Sequence, residues 1–483
     1  MSAVLPLVVL LPLLGAMLVA VLPRRARPLG TVAAVVATGA VIGAVAGGVA
    51  STGPLRIELG GWAPPLGIAL VADGPSVAML GLSTVVVLAA AVVGILDDRM
   101  IGGTSFWPLS GVALAAVNGV FVAADLFSVY VLLELLTLAA VALVALGGTK
   151  ATAPALRYLL VAVVGSLFYL LAVALVYAQT GALDLATAAA RMPDDTVAAA
   201  VVALVAIGMA AKMALFPLHS WLPVAHPAAP AAVSALLSAL VVKASLFIVW
   251  RVFSVLGPTT AFGPTIATAL AVAGAVGVVW GGVLALRRDR LKTVIAYSTV
   301  AQIGYLVLLL PLLSATEGAE EAWSGGIVLA IAHGLAKAAM FLAAGTLAIA
   351  YDGDRLAGFH GALSRMPLAV ATIGVAGVSL AGLPPALGFV GKWQLLQGAL
   401  IGGAWWIVAV LLVGGLLTFA YTGRILAAMF SVPGEDPPPP RGTPHRGLSV
   451  VPFALAATSI VLGLFPAPLA DLLSGTLPGG GGS

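Results

Sequence analysis

The chain has 483 residues, of which 61% are apolar and 8% are charged, and its formal net charge is +4. A soluble globular protein carries roughly 25% charged residues, so this composition excludes an ordinary water-soluble enzyme. The apolar residues occur in long runs, which predicts an all-α membrane protein with many spans. The chain has no cysteine, which excludes disulfides, thiolate metal sites and iron–sulfur ligation.

The apolar runs predict about fourteen transmembrane helices, because a hydrocarbon core about 30 Å thick needs about 20 helical residues. The first run lacks a basic leader and a small-residue cleavage site, so we interpret it as a retained span. The stretch 181–195 is expected to hold a short amphipathic helix at the outer surface. The predicted spans are 3–22, 29–50, 74–96, 106–124, 126–147, 154–178, 196–225, 229–253, 263–286, 293–313, 324–349, 367–401, 404–428 and 448–469.

Two of these spans contain prolines in positions that interrupt a helix. The seventh span contains Pro217 and Pro223, and the twelfth contains Pro384 and Pro385. Proline removes a helical hydrogen bond and disfavours helix in the residue before it. We therefore predict two discontinuous helices, because interrupted backbone at membrane depth is tolerated only inside protein or beside a wet cavity.

The two interruptions are five spans apart, and an odd offset reverses the direction of the chain. This spacing predicts two inverted five-helix repeats, an arrangement typical of transport sites, although prolines are also common in membrane helices that form no repeat. The predicted divisions are an N-terminal three-helix segment (1–100), a first repeat (101–256), a second repeat (257–430), a cytoplasmic Pro-rich connector with the last helix (431–478) and a tail resembling a linker scar (479–483).

The basic residues are distributed unevenly between the two sets of loops. One set carries fifteen Lys and Arg residues, whereas the opposite set carries Arg56, Arg191 and Arg251. Basic loops face the cytoplasm, so we predict that both termini lie outside a bacterial-type inner membrane.

Five ionisable residues lie deep inside predicted spans, where each charge costs at least about 2.5–3.5 kcal/mol. One carboxylate can pair with only one ammonium, so static pairing leaves three lysines without a partner. Lysine can lose its proton when buried and arginine cannot, which favours a proton pathway over a purely structural pair. His333 joins this group because it lies one helical turn before Lys337 on the same face. The five residues are Glu134, Lys212, Lys243, Lys337 and Lys392.

Other polar residues are weaker candidates for taking up protons or ordering water. His219 and His226 lie in a predicted cytoplasmic loop, and a structural role in that loop is an alternative for both. Hydroxyl groups in membrane helices often make only local bonds, which is the alternative for Ser234, Ser238 and Tyr297. Asp73 and Asp125 lie at span edges and are predicted to be helix caps.

Five segments, taken together, resemble the antiporter-like proton-translocating family. This family includes large subunits of Mrp-type sodium/proton antiporters and the pumping subunits of respiratory complex I and membrane-bound hydrogenases. The segments are ADLFSVYVLLELLTLAAVALVALGG (124–148), KMALFPLHSWLPVAHPAAPAAVSALLSALVVK (212–243), RLKTVIAYSTVAQIGY (290–305), HGLAKAAMFLAAG (333–345) and LAGLPPALGFVGKW (380–393).

The resemblance implies fourteen helices with discontinuous seventh and twelfth members, and it implies roles for the central charges. Glu134 would modulate Lys212, the proton carrier of the first half, and Lys392 would end the second half near the outer exit. Lys243, His333 and Lys337 would connect the halves. A lysine at the place of Lys392 suits Mrp-type and several complex I-type members, whereas some complex I members carry glutamate there, so this chain departs from that branch.

Among the subfamilies, the length of the chain and the sequence segment NGVFVAADLF (118–127) most resemble the D-type Mrp subunit. The resemblance implies a transporter subunit that is not an enzyme by itself, without cofactor or metal. Its expected partners are other membrane subunits, lipid, protons and sodium carried through a partner, and no nucleic acid. The alternative is a proton-pumping subunit of a complex I-like NADH-quinone oxidoreductase or a membrane-bound hydrogenase.

Overall fold

The computed structural model of the protein describes residues 2–63, 65, 67–314, 317–431, 442 and 444–477. These residues are helical almost throughout, and most of the predicted Pro-rich connector and the whole 479–483 tail lie outside them. The helices up to the first interruption are α1 (Leu7–Val21), α2 (Arg27–Thr52), α3 (Gly74–Leu96), α4 (Phe106–Val122), α5 (Leu126–Ala145), α6 (Thr152–Thr180), α7 (Leu185–Arg191) and α8 (Thr196–Lys212).

The second part of the chain continues the helical architecture to residue 473. A π-helical segment, Leu237–Val241, joins α10 to α11. The remaining helices are α9 (Leu222–Ala228), α10 (Ala231–Leu236), α11 (Val242–Val255), α12 (Gly263–Arg287), α13 (Leu291–Val307), α14 (Ala319–Tyr351), α15 (Ala362–Arg365), α16 (Pro367–Ala381), α17 (Leu387–Ile401), α18 (Trp405–Phe430), α19 (Gly447–Leu464) and α20 (Ala467–Leu473).

The described part of the chain is a multi-pass membrane protein. It contains 11 helices that are long and apolar enough to cross a bilayer. Three shorter apolar helices, α4, α8 and α16, accompany them. Both predicted interruptions are confirmed, because α8 ends at Lys212 before α9, and α16 ends at Ala381 before α17.

One antiparallel hairpin lies between α2 and α3. Its strands are β1 (Leu55–Glu58) and β2 (Ala69–Ala72), with Leu55 opposite Ala72. The short helix α7 confirms the predicted helix within 181–195. The cap predictions are also confirmed, since Asp73 accepts a hydrogen bond from Ser76 N and Asp125 accepts one from Ser128 N.

The centre of the molecule is formed by α14, which packs against α3, α10, α13, α16, α17 and α19. Nearly every α14 side chain is buried, as expected for a helix that is apolar on all faces. By contrast, α1, α2, α18 and α19 expose large apolar side chains such as Leu14 and Leu416. The central helices therefore carry their polar residues away from the lipid-facing surface.

A buried side-chain amide donates to a backbone carbonyl of α1 that has no helical donor. Pro12 lies inside this helix and has no N–H to donate to the carbonyl of Val8. The side chain of Asn118 on α4 donates to that carbonyl (Nδ2 to O, 3.0 Å) and accepts from Ser83 Oγ on α3 at 2.6 Å. One amide thus joins three helices.

We expect Asn118→Leu to destabilise the fold by about 1–3 kcal/mol, because the Val8 carbonyl is left buried and unpaired. Thermal unfolding of the detergent-purified protein measures the loss. In a Pro12→Ala background the helix supplies its own N–H, so the same substitution should cost less. An equal loss in both backgrounds would show that the amide does not act on this carbonyl.

Candidate functional site

The first interruption directly follows Lys212, the last residue of α8. Ala214 has a positive φ of 58°, a conformation that costs an L-residue about 1–3 kcal/mol and is typical of functional sites. The indole of Trp221 donates to the carbonyl of Ala211 (Nε1 to O, 3.0 Å). Because Trp221 caps this end of α8, the ammonium of Lys212 is left to contact α5.

Lys212 forms a mixed ionic and hydroxyl cluster with α5 and α6. Its Nζ lies 3.4 Å from Glu134 Oε1 and 2.8 Å from Thr137 Oγ1. Thr137 donates its own hydrogen to the carbonyl of Leu133, so its oxygen lone pair faces the ammonium. Ser166 of α6 donates to Glu134 Oε1. The four side chains connect three helices at the first interruption.

Exposure differs between the two ions of this cluster. The Lys212 side chain is 4% exposed, whereas that of Glu134 is 26% exposed. The carboxylate therefore reaches the flank of the molecule, while the ammonium lies inside the protein. The pair is exposed only at its acidic end.

Lys243 lies beside the π-helical segment. Its Nζ donates to the carbonyl of Ser238, five residues earlier, at 2.7 Å. A π turn disturbs the regular i to i+4 pattern and is common at functional sites, and here one of its carbonyls accepts a side-chain ammonium. Lys243 is wholly buried and has no carboxylate within salt-bridge distance among the described residues.

Lys337 is bound to the backbone of α13. Its Nζ donates to the carbonyl of Ile295 at 2.9 Å and also contacts Ser298 Oγ. The Ile295 carbonyl accepts from Ser298 and from Thr299 as well, at 2.9 and 3.1 Å. Three donors thus converge on one carbonyl in the core.

A hydrogen-bonded seam connects Lys337 with Lys243. Thr299 Oγ1 lies 3.0 Å from Ser238 Oγ, and Ser238 supplies the carbonyl that Lys243 contacts. The seam therefore runs from α11 through α13 to α14, with two hydroxyl groups in its middle. Thr299 gives its one hydrogen to the Ile295 carbonyl, so Ser238 is the donor between the two hydroxyl groups in this arrangement.

His333 is placed among three of the lysines. It is 1% exposed, and the charges of Lys243, Lys337 and Lys392 all act on it. Neither ring nitrogen has a hydrogen-bond partner among the described residues. An imidazole has one donor and one acceptor nitrogen when neutral, so this ring can accept and release a proton at different atoms.

The second interruption binds Lys392 through backbone carbonyls. Its Nζ donates to Leu380 O at 2.9 Å and to Ala381 O at 3.2 Å, at the end of α16. The ammonium lies 4.2 Å from the centroid of the Tyr305 ring. A helix C-terminus and an aromatic face both favour a cation, so Lys392 is stabilised without a carboxylate.

The weaker candidates divide between core and surface. Ser238 lies in the seam, whereas Ser234 donates to the backbone of His226 and Pro230. Tyr297 lies under the guanidinium of Arg288, 5.1 Å from its Cζ, and His219 is half-buried against Phe216. Neither of these two residues contacts a lysine of the row in the described structure.

The prediction of a loop around His226 is wrong. This residue lies in α9, is fully buried and stacks on Phe341 with ring centroids 4.7 Å apart. Pro223 is in the first turn of α9, where a missing N–H costs nothing, so this proline starts a helix. His226 consequently lies near Lys337, Lys243 and Lys292, whose charges act on it.

Comparisons with known proteins show which proteins the chain is similar to. The family described as "NADH:quinone oxidoreductase/Mrp antiporter, TM" matches residues 123–418. The N-type subunit of the NADH-quinone oxidoreductase of Desulforudis audaxviator is 37% identical, covering 96% of this chain and 96% of that protein. The D-type subunit of the Na(+)/H(+) antiporter of Bacillus subtilis is 31% identical, covering 97% and 96%. A chain of the Mrp complex from Dietzia sp. DQ12-45-1b superimposes with a TM-score of 0.89 at 26% identity, covering 98% and 96%.

Proposed function

Because the chain belongs to the NADH:quinone oxidoreductase/Mrp antiporter family of transmembrane proteins, we propose that it relays protons along its buried lysines within a multisubunit cation/proton antiporter. Membership makes it an antiporter-like, proton-translocating subunit of Mrp-type or complex I-like assemblies. The proposed relay residues are Glu134, Lys212, Lys243, His333, Lys337 and Lys392.

One observation supports the relay above all others: four buried lysines share a single carboxylate. Glu134 contacts only one of the four lysines, Lys212. The other three ammonium groups contact carbonyls, a hydroxyl or a ring. Permanent ionisation of all four would leave three uncompensated charges in the core, each at a cost of several kcal/mol. Sharing fewer protons among the four sites removes that cost.

Repulsion between neighbouring sites drives the proposed transfer. Two like charges about 10 Å apart at an effective dielectric of about 20 repel by about 1.7 kcal/mol. This energy biases a proton transfer by more than about tenfold. Protonation of Lys212 therefore favours release farther along the row, through the seam and His333 to Lys392.

The proposed direction of flow follows from the surroundings of the two ends. His219 is half-buried and follows the same interruption as Lys212, which supports proton uptake from that face. Lys392 lies at the other interruption, after α16. We place release there, on the opposite side of the membrane.

The proposed topology has fourteen crossings and both termini outside. The 11 long helices and the three shorter apolar helices together give the fourteen crossings. The helices α9 and α17 complete the two interrupted spans. The interruptions then fall at equivalent places of two inverted repeats. Tags at each terminus, tested for protease access in sealed vesicles, would report the orientation.

Two parent complexes remain in competition. The similarity to the Bacillus subtilis antiporter protein over 97% of the chain favours a cation/proton antiporter. The 37% identity to the Desulforudis audaxviator protein favours a redox-driven quinone oxidoreductase. We propose the antiporter complex. Affinity purification from the native membrane separates the two, since co-purifying flavin or iron–sulfur absorbance would overturn the antiporter assignment.

The seam offers a specific test of the relay. Thr299→Val keeps the volume of the side chain but removes the hydroxyl that contacts Ser238. We expect proton exchange in vesicles to fall by about tenfold, the kinetic equivalent of one lost hydrogen bond. Thr458 is half-buried and bonds its own helix, so Thr458→Val is the matched control. Normal exchange in Thr299→Val would exclude the seam from the relay.

A further inference from the structure

A cavity of about 220 Å³ lies outside the lysine row. It is enclosed by β2, the end of α4, the start of α5, α6, α7 and the last half of α11. In the proposed topology this is the outer half of the first repeat. Its walls are mainly apolar, and four charged residues contribute to its lining.

The cavity narrows from an exposed rim to a buried floor. At the rim, the Arg56 side chain is 41% exposed and Ala186 is exposed. At the floor, Tyr169, Phe247 and Val252 are almost completely buried. The cavity thus leads inward from the surface between α6 and α11.

Both arginines of the cavity are already paired. Arg56 contacts Asp184 at 2.9 Å, and Arg251 contacts Asp73 at 2.5 Å. Burial alone would raise the pKa of Asp184, but hydrogen bonds from Thr187 and the Arg56 guanidinium bring it below its usual value. Burial likewise opposes ionisation of Asp73, whose pKa is nevertheless lowered, chiefly by Arg251. These pairs are ionised at neutral pH and need no further ligand.

Asp125 provides the polar atom in the cavity that remains unpaired. Its Oδ1 caps α5 by accepting from Ser128 N at 2.7 Å. Its Oδ2 is buried and has no partner among the described residues. Oδ2 itself is closed off from the cavity, but the four charged side chains of the lining make the cavity polar enough to hold water.

The floor lies on two helices that carry a relay residue or its hydrogen-bond partner. Phe247 follows Lys243 by four residues on α11, although the ammonium of Lys243 contacts Ser238 O in the opposite direction. Tyr169 follows Ser166 by three residues on α6, and Ser166 donates to Glu134. One turn is about 5.4 Å, so at Tyr169 the floor comes within about one turn of the residue that bonds Glu134.

We propose that this cavity is a water-filled proton branch that connects the surface at the start of α5 with the first half of the lysine row. Phe247 and Tyr169 close its inner end, and the charged side chains of the lining hold water within it. The branch gives the first repeat its own access to that face, independent of Lys392. This inference rests on the proposed function of the row.

The absence of cysteine makes a direct accessibility test possible, because a single introduced thiol is the only reactive one. Val252→Cys and Phe247→Cys place thiols at the floor. Val249→Cys places one on the same helix, equally buried but outside the cavity lining. Each variant, in the assembled complex, is treated with a membrane-impermeant charged methanethiosulfonate from one side of sealed vesicles at a time.

We expect both floor thiols to react from the face where α5 begins, at least about tenfold faster than the Val249→Cys thiol, which reacts only when the packed helices open. Modification of Val252→Cys should also slow proton exchange. Labelling no faster than the control, labelling from the opposite face only, or labelling without any change in exchange would each overturn the branch. Intact exchange in Lys212→Ala would instead overturn the proposed relay, whatever the labelling result.

Discussion

Proton exchange is expected to fall by about 100-fold or more when Lys212 is replaced by alanine, the loss typical of removing a proton-transfer group. Lys212 is the residue that joins the interrupted helix to Glu134 and Thr137. Without its amine, the carboxylate and the hydroxyl remain, but no titratable group links them to Lys243. Collapse of an imposed pH gradient in everted vesicles measures the effect.

The variant should still insert and fold. Removing one partner of a fully buried pair costs about 3–5 kcal/mol, but Glu134 is partly exposed, keeps the hydrogen bond from Ser166 and can be neutralised by a proton. Lys150→Ala, which changes an exposed lysine, is the matched control and should exchange normally. Normal exchange in Lys212→Ala, at equal protein levels, would remove Lys212 from the relay.

A comparable loss, again about 100-fold, is expected for Lys392→Arg, because arginine effectively never releases its proton. The positive charge itself is kept, and the carbonyls of Leu380 and Ala381 can still accept from a guanidinium. A purely structural cation at the end of α16 would therefore tolerate this change. A proton carrier would not, so the substitution separates the two roles.

A second substitution tests Lys392 without removing it. Gly382 has a positive φ of 79°, and a Cβ there would lie 2.5 Å from Lys392 Cδ. Gly382→Ala should displace the lysine from its carbonyls and also slow exchange. Exchange that persists in both variants would show that the second interruption does not carry protons. Lys150→Arg controls for the chemistry of the substitution.

The interruptions and the central charges could be predicted from the sequence because both violate the rules for membrane helices. Pro217 and Pro385 forbid a continuous helix, and a lysine at membrane depth needs a reason for its presence. These features are local, so one sequence suffices to find them. The helix around His226 could not be distinguished from a loop, because a proline signals either a break or a helix start.

The hydroxyl partners could not be predicted. Thr137, Ser166 and Thr299 look like any hydroxyl that bonds its own helix, and all three also do so. Their contacts with Lys212, Glu134 and Ser238 depend on how neighbouring helices are rotated. Helix rotation also decides that Lys212 contacts a carboxylate whereas Lys392 contacts backbone carbonyls.

Solid-state NMR of the lysine amines tests the central claim most directly. The chain has only six lysines, so ¹⁵N-lysine labelling gives six resolvable Nζ signals, and ammonium and neutral amine differ in chemical shift. The relay predicts that at least one of Lys212, Lys243, Lys337 and Lys392 is partly neutral and responds to pH. Four permanently charged signals at every pH at which the protein is folded would contradict it.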